Sequence, residues 1–404
     1  MITCNRFAVF AAAVLAVILD TTPNAVAATR IWDGDGNSGN GVTDIPGTWD
    51  TVTPRWFTNT IAPDVAWDNA SGDIAMFGAG GGNAATVTVS GAIIAKGITF
   101  VNDSYKLQNG TISAPTGDTL VIFCISNAFA YGIAFTGPVQ VIGSTTSIFS
   151  QLTGDTNTTF NGPLALGDGT NQMLFTVKAT NSLPASGATT VRSNATISFT
   201  SVANTNYGGT TLNGYGAANR GAIRLASSGT PACYAGDITL VGPSMIRSFS
   251  KAIGTYSGNI SGNYDLYLVP NESGGTQGCL IVSGANNTYG GSTYIHTQDT
   301  AANAGGRVML GTDNALPTNT TVIIGHASIS GGPSMTADGT LDMNGFNQQI
   351  AGLQTDTNRP AASQYIVNSS SNNDSVLTIA GPGNSIFGGI IADNVPVYGG
   401  IFKT

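Results

Sequence analysis

The chain has 404 residues, only 9% of them charged against roughly a quarter in an ordinary soluble domain, and a formal net charge of −8. With 41% hydrophobic residues it can bury a core, which excludes wholesale disorder. Its 14 Lys plus Arg form no cluster, which excludes the basic footprint that nucleic acid or an anionic membrane surface requires.

Residues 1–28 read as a signal peptide. Arg6 supplies a positive start, residues 7–19 are uninterruptedly apolar, and Ala25-Val26-Ala27 offers a small-residue cleavage site after Pro23. Cys4 lies too early to be a lipidated cysteine at that site, and no other apolar run approaches the ~20 residues of a spanning helix. Residues 29–85 hold all four tryptophans, Trp32, Trp49, Trp56 and Trp67, together with Phe77. The clustering predicts one small aromatic core that caps an end of the molecule, as a stacked-strand protein needs.

From residue 86 the chain alternates like a strand former. Thr86, Thr88 and Ser90 face one way, Val87 and Val89 the other. Ile98 with Phe100, Tyr105 with Leu107, and Thr111-Ile112-Ser113 follow, each ending at Gly, Asn or Asp. Similar short pieces recur at 138–142, 164–166, 195–199, 237–241, 321–324 and 340–343. Asn161-Gly162, Asn213-Gly214 and Asn344-Gly345 mark corners expected to need positive φ. The stretch 280–296 condenses the pattern: an apolar run, Ser283-Gly284, the polar corner Asn286-Asn287, then Tyr289-Gly290-Gly291 and a second run ending at Ile295. Asn206-Tyr207-Gly208-Gly209 echoes Thr288-Tyr289-Gly290-Gly291, and Leu183-Pro184 echoes Leu316-Pro317, at separations too unequal for a fixed-period repeat. No helical periodicity is sustained after residue 28. Parallel strands without crossover helices require a continuously wound chain, so residues 86–404 are expected to form an all-β solenoid, the alternative being a row of antiparallel sandwiches. Coils of about 20–25 residues would give about 15 turns and a rod about 70–80 Å long.

Residues 32–112 and 280–395 resemble the autotransporter-associated β-strand repeat proteins, secreted bacterial chains of the passenger type. The likeness rests on Trp32-x-Gly34, Trp49, Trp56 and Asp73-x-Ala75-x-Phe77 at the opening, then on the run from Leu280 to Ile295 described above. It continues in Leu310-Gly311, Asn314-Ala315-Leu316-Pro317, Gly339-Thr340-Leu341-Asp342 with Asn344-Gly345-Phe346-Asn347-Gln348, Ile350-x-Gly352-Leu353, and Phe387-x-Gly389-x-Ile391-x-Asp393. The resemblance implies a right-handed parallel β-helix that is exported and held at the cell surface, with no catalytic residues. Relatives continue into an outer-membrane barrel or a sorting anchor, whereas this sequence stops at Thr404, so either a fragment or a freely secreted member is expected, with outer-membrane attachment through a segment not present here.

Chemistry finds little purchase. A polysaccharide hydrolase on a β-helix needs paired carboxylates, and a lyase needs a base beside carboxylate-bound Ca²⁺. The 22 Asp plus Glu are mostly single, and Asp237, Asp265, Asp342 and Asp393 read as turn residues that bond their own backbone. Arg192, Arg220, Arg224 and Arg247 stand apart from acidic clusters. His296 and His326 read as surface or turn histidines, and Ser283 and Ser330 lack the surroundings of a nucleophile. The sharpest metal candidate is Asp33-Gly34-Asp35-Gly36-Asn37 with Asp44, whose alternating oxygens suit Ca²⁺. Its sixth position is Ser38 where an EF-hand loop has Gly, so a Gly-rich turn competes with the metal loop. Cys124, Cys233 and Cys279 read as small buried hydrophobes, with one disulfide plus a spare thiol as the alternative. No catalytic, cofactor-binding or metal-binding residue is therefore assigned, and no cofactor. The expectation is a non-enzymatic extracellular or cell-surface rod with a structural, adhesive or spacer role, whose partner is a cell-surface or matrix polysaccharide or protein and not nucleic acid. The competing readings are a carbohydrate-active β-helix enzyme and a carbohydrate-binding module using Tyr131, Tyr215 or Tyr234.

Overall fold

The computed structural model describes residues 27–58, 63–81, 85–144, 151–154, 157–178, 183–184, 188–200, 208–226, 231–249, 253–270, 278–297, 306–325, 338–356, 364–382 and 385–393. Residues 1–26 of the expected signal peptide, Asn206-Tyr207, His326 and Ser330 lie outside them. Among the described residues there is no α-helix, only short strands and two three-residue 3₁₀ turns, Ser38–Asn40 and Ala217–Asn219. No described helix is long and apolar enough to cross a membrane.

The strands wind into a parallel β-solenoid of about 10 turns. Each strand pairs in parallel with its counterparts one coil before and one coil after. Antiparallel pairing is confined, among the described residues, to the opening, where Thr29–Trp32 meets Trp56–Phe57 and Trp56 bridges Val65. One column of strands climbs from Ile74–Phe77 to Ile260–Gly262, and a second from Thr86–Val89 to Gly352–Thr355. A third face is built from Ala92–Ile94 to Thr159–Phe160 and again from Ala232–Tyr234 to Ile390–Ala392.

The period-2 alternation predicted for residues 86–89 is observed, with Val87 and Val89 buried and the threonines half-buried. Because every coil uses the same alternation, inward side chains stack on their own kind. Ala75, Ile98, Ile122, Val141, Leu166, Val191, Leu212 and Leu240 form one continuous column, each opposite the next. Phe175, Ile197, Ile223, Ile246, Leu268, Ile295 and Ile324 form another. Nearly all of this belongs to a single buried cluster running the length of the tube. At about 25 cal/mol per Å² of apolar surface, each buried aliphatic rung contributes on the order of 2 kcal/mol.

The stretch 280–296 is one such coil. Its two strands, Cys279–Val282 and Thr293–Ile295, do not pair with each other. Leu280 sits between Gly254 and Val308 on the third face, and Ile295 between Leu268 and Ile324 on the second. Gly290 and Gly291 are needed for close approach and not for turn geometry: a Cβ on Gly290 would strike the Asn263 amide, and one on Gly291 the backbone of Tyr264 in the preceding coil.

Two expectations change. The coil period past the cap, measured by register, runs from 19 residues (Val121 to Gln140) to 33 (Val308 to Leu341), wider than the roughly 20–25 expected. At about 4.8 Å per turn, ten turns span about 50 Å. The Asn-Gly corners also differ among themselves. Asn344 and Gly345 both take positive φ, only the glycine does at Asn213-Gly214, and neither does at Asn161-Gly162. Gly162 is instead packed against the backbone of Gly137.

Candidate functional site

Two regions carry unusual side-chain chemistry: the cap, and the outer face of the second column. In the cap the four tryptophans converge on one another. Trp49 lies 5.1 Å from both Trp56 and Trp67, Trp56 lies 4.8 Å from Trp67, and Trp32 meets Trp56 edge-on at 5.4 Å. Phe77 stacks between this group and Phe100, 5.6 Å away, which joins the aromatic plug to the first regular coils. The aromatic cap read from the sequence is present, and it closes the end of the apolar column.

The Asp33–Asp44 loop folds back on itself. Asp35 accepts from the Asn37 N–H, the Asn40 amide and the Thr43 hydroxyl, and the Asn40 bond foremost holds its carboxyl below the usual range. Asp33 Oδ1 accepts from the Thr43 N–H at 3.0 Å, and Asp44 Oδ1 accepts from the Tyr105 hydroxyl at 2.7 Å. Among the described residues no three His, Cys, Asp or Glu side chains come together as metal ligands would. Asp33 does meet another carboxyl, that of Asp64, and both are buried. Burial, with the Asp64 charge adding to it, raises the Asp33 carboxyl to about 7. The Asp33 carboxyl also meets that of Asp35, which is exposed, so the buried pair among the described residues is Asp33 with Asp64.

Two of the four aspartates expected to bond their own backbone, Asp237 and Asp265, reach the next coil instead, and Asp313, which the sequence did not single out, does the same. Asp237 Oδ1 accepts from the Asn259 N–H at 2.8 Å, Asp265 Oδ1 from the Ser292 N–H at 2.8 Å, and Asp313 Oδ1 from the Asn347 N–H at 2.7 Å. Asp342 does both: it accepts from Asn344 N–H within its turn and from Ser369 N–H in the following coil, and pairs with Arg307 of the preceding coil at 2.8 Å. Asn287 spans three coils. Its Oδ1 accepts from Ile260 N–H at 2.6 Å while its Nδ2 donates to Gly284 O and, at 2.6 Å, to Ala315 O. Gln348 clamps both backbone groups of Leu316 in the same way. These side chains stitch coil to coil and are unavailable for chemistry.

On the outer face of the second column the register lines up Lys106, Phe129, Thr153, Thr176, Ser198, Arg224 and Arg247. The row begins exposed and ends fully buried. At its open end Phe129 stacks on Tyr131 at 6.0 Å, with the Lys106 ammonium 5.9 Å from the Tyr131 ring. At its closed end Arg224 lies 3.7 Å over the Phe249 ring. The adjacent row places Met245, Tyr267 and Tyr294 opposite one another, with Tyr267 and Tyr294 stacked at 4.5 Å and Tyr215 edge-on to Tyr267 at 5.2 Å. Of the three tyrosines singled out from sequence, Tyr131 and Tyr215 are half-buried on this outer side, but Tyr234 is inside the tube, stacked between Phe199 and Tyr256. His296 is not a surface histidine: it is fully buried, with its ring edge toward Tyr267. Tyr267 and Tyr294 were not anticipated, although their separation equals that between Leu266 and Thr293, the coil spacing at this point.

The three cysteines are free. Cys124 and Cys279 are buried, and burial pushes the Cys279 thiol up to about 12; Cys233 is half-buried.

Over 94% of its length the chain is 25% identical to the protein described as "Adhesin BmaC autotransporter" of Brucella suis biovar 1 (strain 1330). Fold and similarity together fit an autotransporter passenger-type protein. The chain spans 11% of the length of that relative. No family model matches the chain, and no solved structure does.

Proposed function

We propose that the protein is an exported, adhesive β-solenoid segment that acts by presenting its outer face to a cell-surface or matrix polysaccharide or protein, without turnover. The observation that supports this most is where the polar side chains go. Asp237, Asp265, Asn287, Asp313 and Gln348 are spent on joining successive coils. The Asp33–Asp64 pair is enclosed in the cap. A glycosidase needs two carboxyls separated by about 5–10 Å across an accessible cleft. The likeness to an adhesin points the same way. The strip of exposed Lys106 with half-buried Phe129 and Tyr131 is the part of the outer face best suited to contact, since aromatic rings supply apolar area with little loss of rotamer freedom.

The test is a binding assay with purified protein on cells and on immobilised polysaccharides, with the soluble products analysed afterwards. Retention on one of these surfaces with no sugar released is expected, and Phe129→Ala with Tyr131→Ala should weaken it roughly tenfold. Release of oligosaccharide would overturn the non-enzymatic reading.

A further inference from the structure

We propose that the Asp33–Asp64 carboxyl pair is a proton-operated clasp on the tryptophan cap: with one shared proton it holds the two segments together, and without it the cap loosens. Asp33 is fully buried and Asp64 is 7% exposed. Asp33 Oδ2 and both oxygens of Asp64 receive no hydrogen bond from any donor, although the two carboxyls interact directly. The backbone on either side of the pair is tied together by the antiparallel patch. Asp33 N–H donates to Arg55 O at 2.9 Å, and Arg55 N–H donates to Val65 O at 3.2 Å. Two buried carboxylates in contact cannot both ionise at low cost, because each disfavours the charge of the other. A proton taken from solvent by one turns it into a donor to the other and satisfies oxygens that nothing else reaches.

The surrounding charges do not offer another solution. Asp35 meets the Asp33 carboxyl directly and its charge adds negative potential to both members of the pair, so it favours the proton on Asp33 and supplies no cation or donor of its own. The Arg55 side chain extends over Gly47, and its charge acts on Asp50. Asp44 is engaged by the Tyr105 hydroxyl. Burial pushes the Asp33 carboxyl to about 7 and raises that of Asp64. Since the folded value exceeds the ordinary 3.8, the folded cap binds the proton more tightly than the unfolded chain does. Cap stability therefore falls as pH rises from about 4 through about 7 and stays low above that.

All four tryptophans lie in this cap, so emission excited selectively at tryptophan reports on it and not on the 12 tyrosines. We expect the thermal midpoint followed by tryptophan emission to be higher at about pH 5.5 than at about pH 8. Asp64→Asn keeps the shape and replaces the shared proton with an amide N–H. It should raise the midpoint at the alkaline pH and flatten the dependence, and Asp33→Asn should do the same. Asp35→Asn removes one contribution to the raised Asp33 carboxyl and should reduce the pH dependence without abolishing it. A pH dependence that persists in both Asp64→Asn and Asp33→Asn, or failure of both to fold, overturns the clasp. So does a rise in the alkaline midpoint on adding calcium chloride that is absent in Asp64→Asn, because the pair would then hold a metal ion in place of a proton.

Discussion

Asn286 and Asn287 are identical in type and adjacent in the chain, yet the solenoid gives them opposite weights. Asn287 is buried and bridges Ile260, Gly284 and Ala315, whereas the Asn286 side chain is exposed. Asn287→Leu orphans the Ile260 N–H and the Ala315 carbonyl in the core and should destabilise the protein by about 3 kcal/mol in urea unfolding. Asn286→Leu should stay within about 0.5 kcal/mol. The sequence marks both as a polar corner, because the turn chemistry of Asn is local. Which one turns inward depends on the coils before and after, which no short window contains. The same limit explains Tyr234 and His296: each carries a polar group that reads as exposed, and the stacking of neighbouring coils buries it. Reactivity follows burial in the cysteines. With the Cys124 thiol raised by burial and Cys279 pushed up to about 12, a thiol reagent applied to native protein at about pH 8 should modify Cys233, and peptide mapping should find Cys124 and Cys279 unmodified until the chain is unfolded.

At the scale of the element, alternation was legible almost everywhere, because each strand needs one buried face regardless of its partners. Thr111–Ser113, Leu164–Leu166 and Thr321–Ile324 fall where the pattern places them. Ile238–Phe249 does not: it reads as a strand ending before Gly242-Pro243, yet it runs for 12 residues through both columns. Its ladder with the next coil stops at Leu240–Gly262 and resumes at Ser244–Leu266, so Pro243 falls in the gap, where its missing N–H removes no pairing. The cap is the other element whose role the sequence exposed, since clustered tryptophans have few uses besides a local core. Trp49 touches Trp56, Trp67 and Phe77, so Trp49→Ala leaves a cavity at the end of the tube worth about 3–5 kcal/mol. The loss should be local. Amide exchange is expected to quicken in Ile74–Phe77 and Gly97–Phe100 while Thr321–Ile324 keeps its protection. Uniform loss of protection along the chain would contradict a plug that seals one end.

For the whole molecule the decisive fact is that, past the cap, successive coils are joined to the coils beside them. There register pairs residues 19 to 33 apart, and bonds such as Asn287 to Ala315 or Asp342 to Ser369 reach no further than the adjacent turn. Stability should then be a sum of coil terms and nearest-neighbour terms. The variability of the coil length, which made the turn count unreadable from sequence, does not disturb this, because insertions enter between strands and leave the stacked columns in register. The consequence can be measured with two double-mutant cycles. Trp49→Ala and Asn287→Leu sit many coils apart and share no neighbour, so their effects should add to within about 0.5 kcal/mol. Asn287→Leu and Gln348→Leu act on consecutive backbone groups, Ala315 O on one side and the N–H and carbonyl of Leu316 on the other. Once one clamp is gone, the corner at 315–316 relaxes and the second has less to hold, so the pair should couple by about 1 kcal/mol, the double variant being less destabilised than the sum. Coupling of equal size in both cycles would mean that the rod unfolds as one block and that its coils are not independent neighbours.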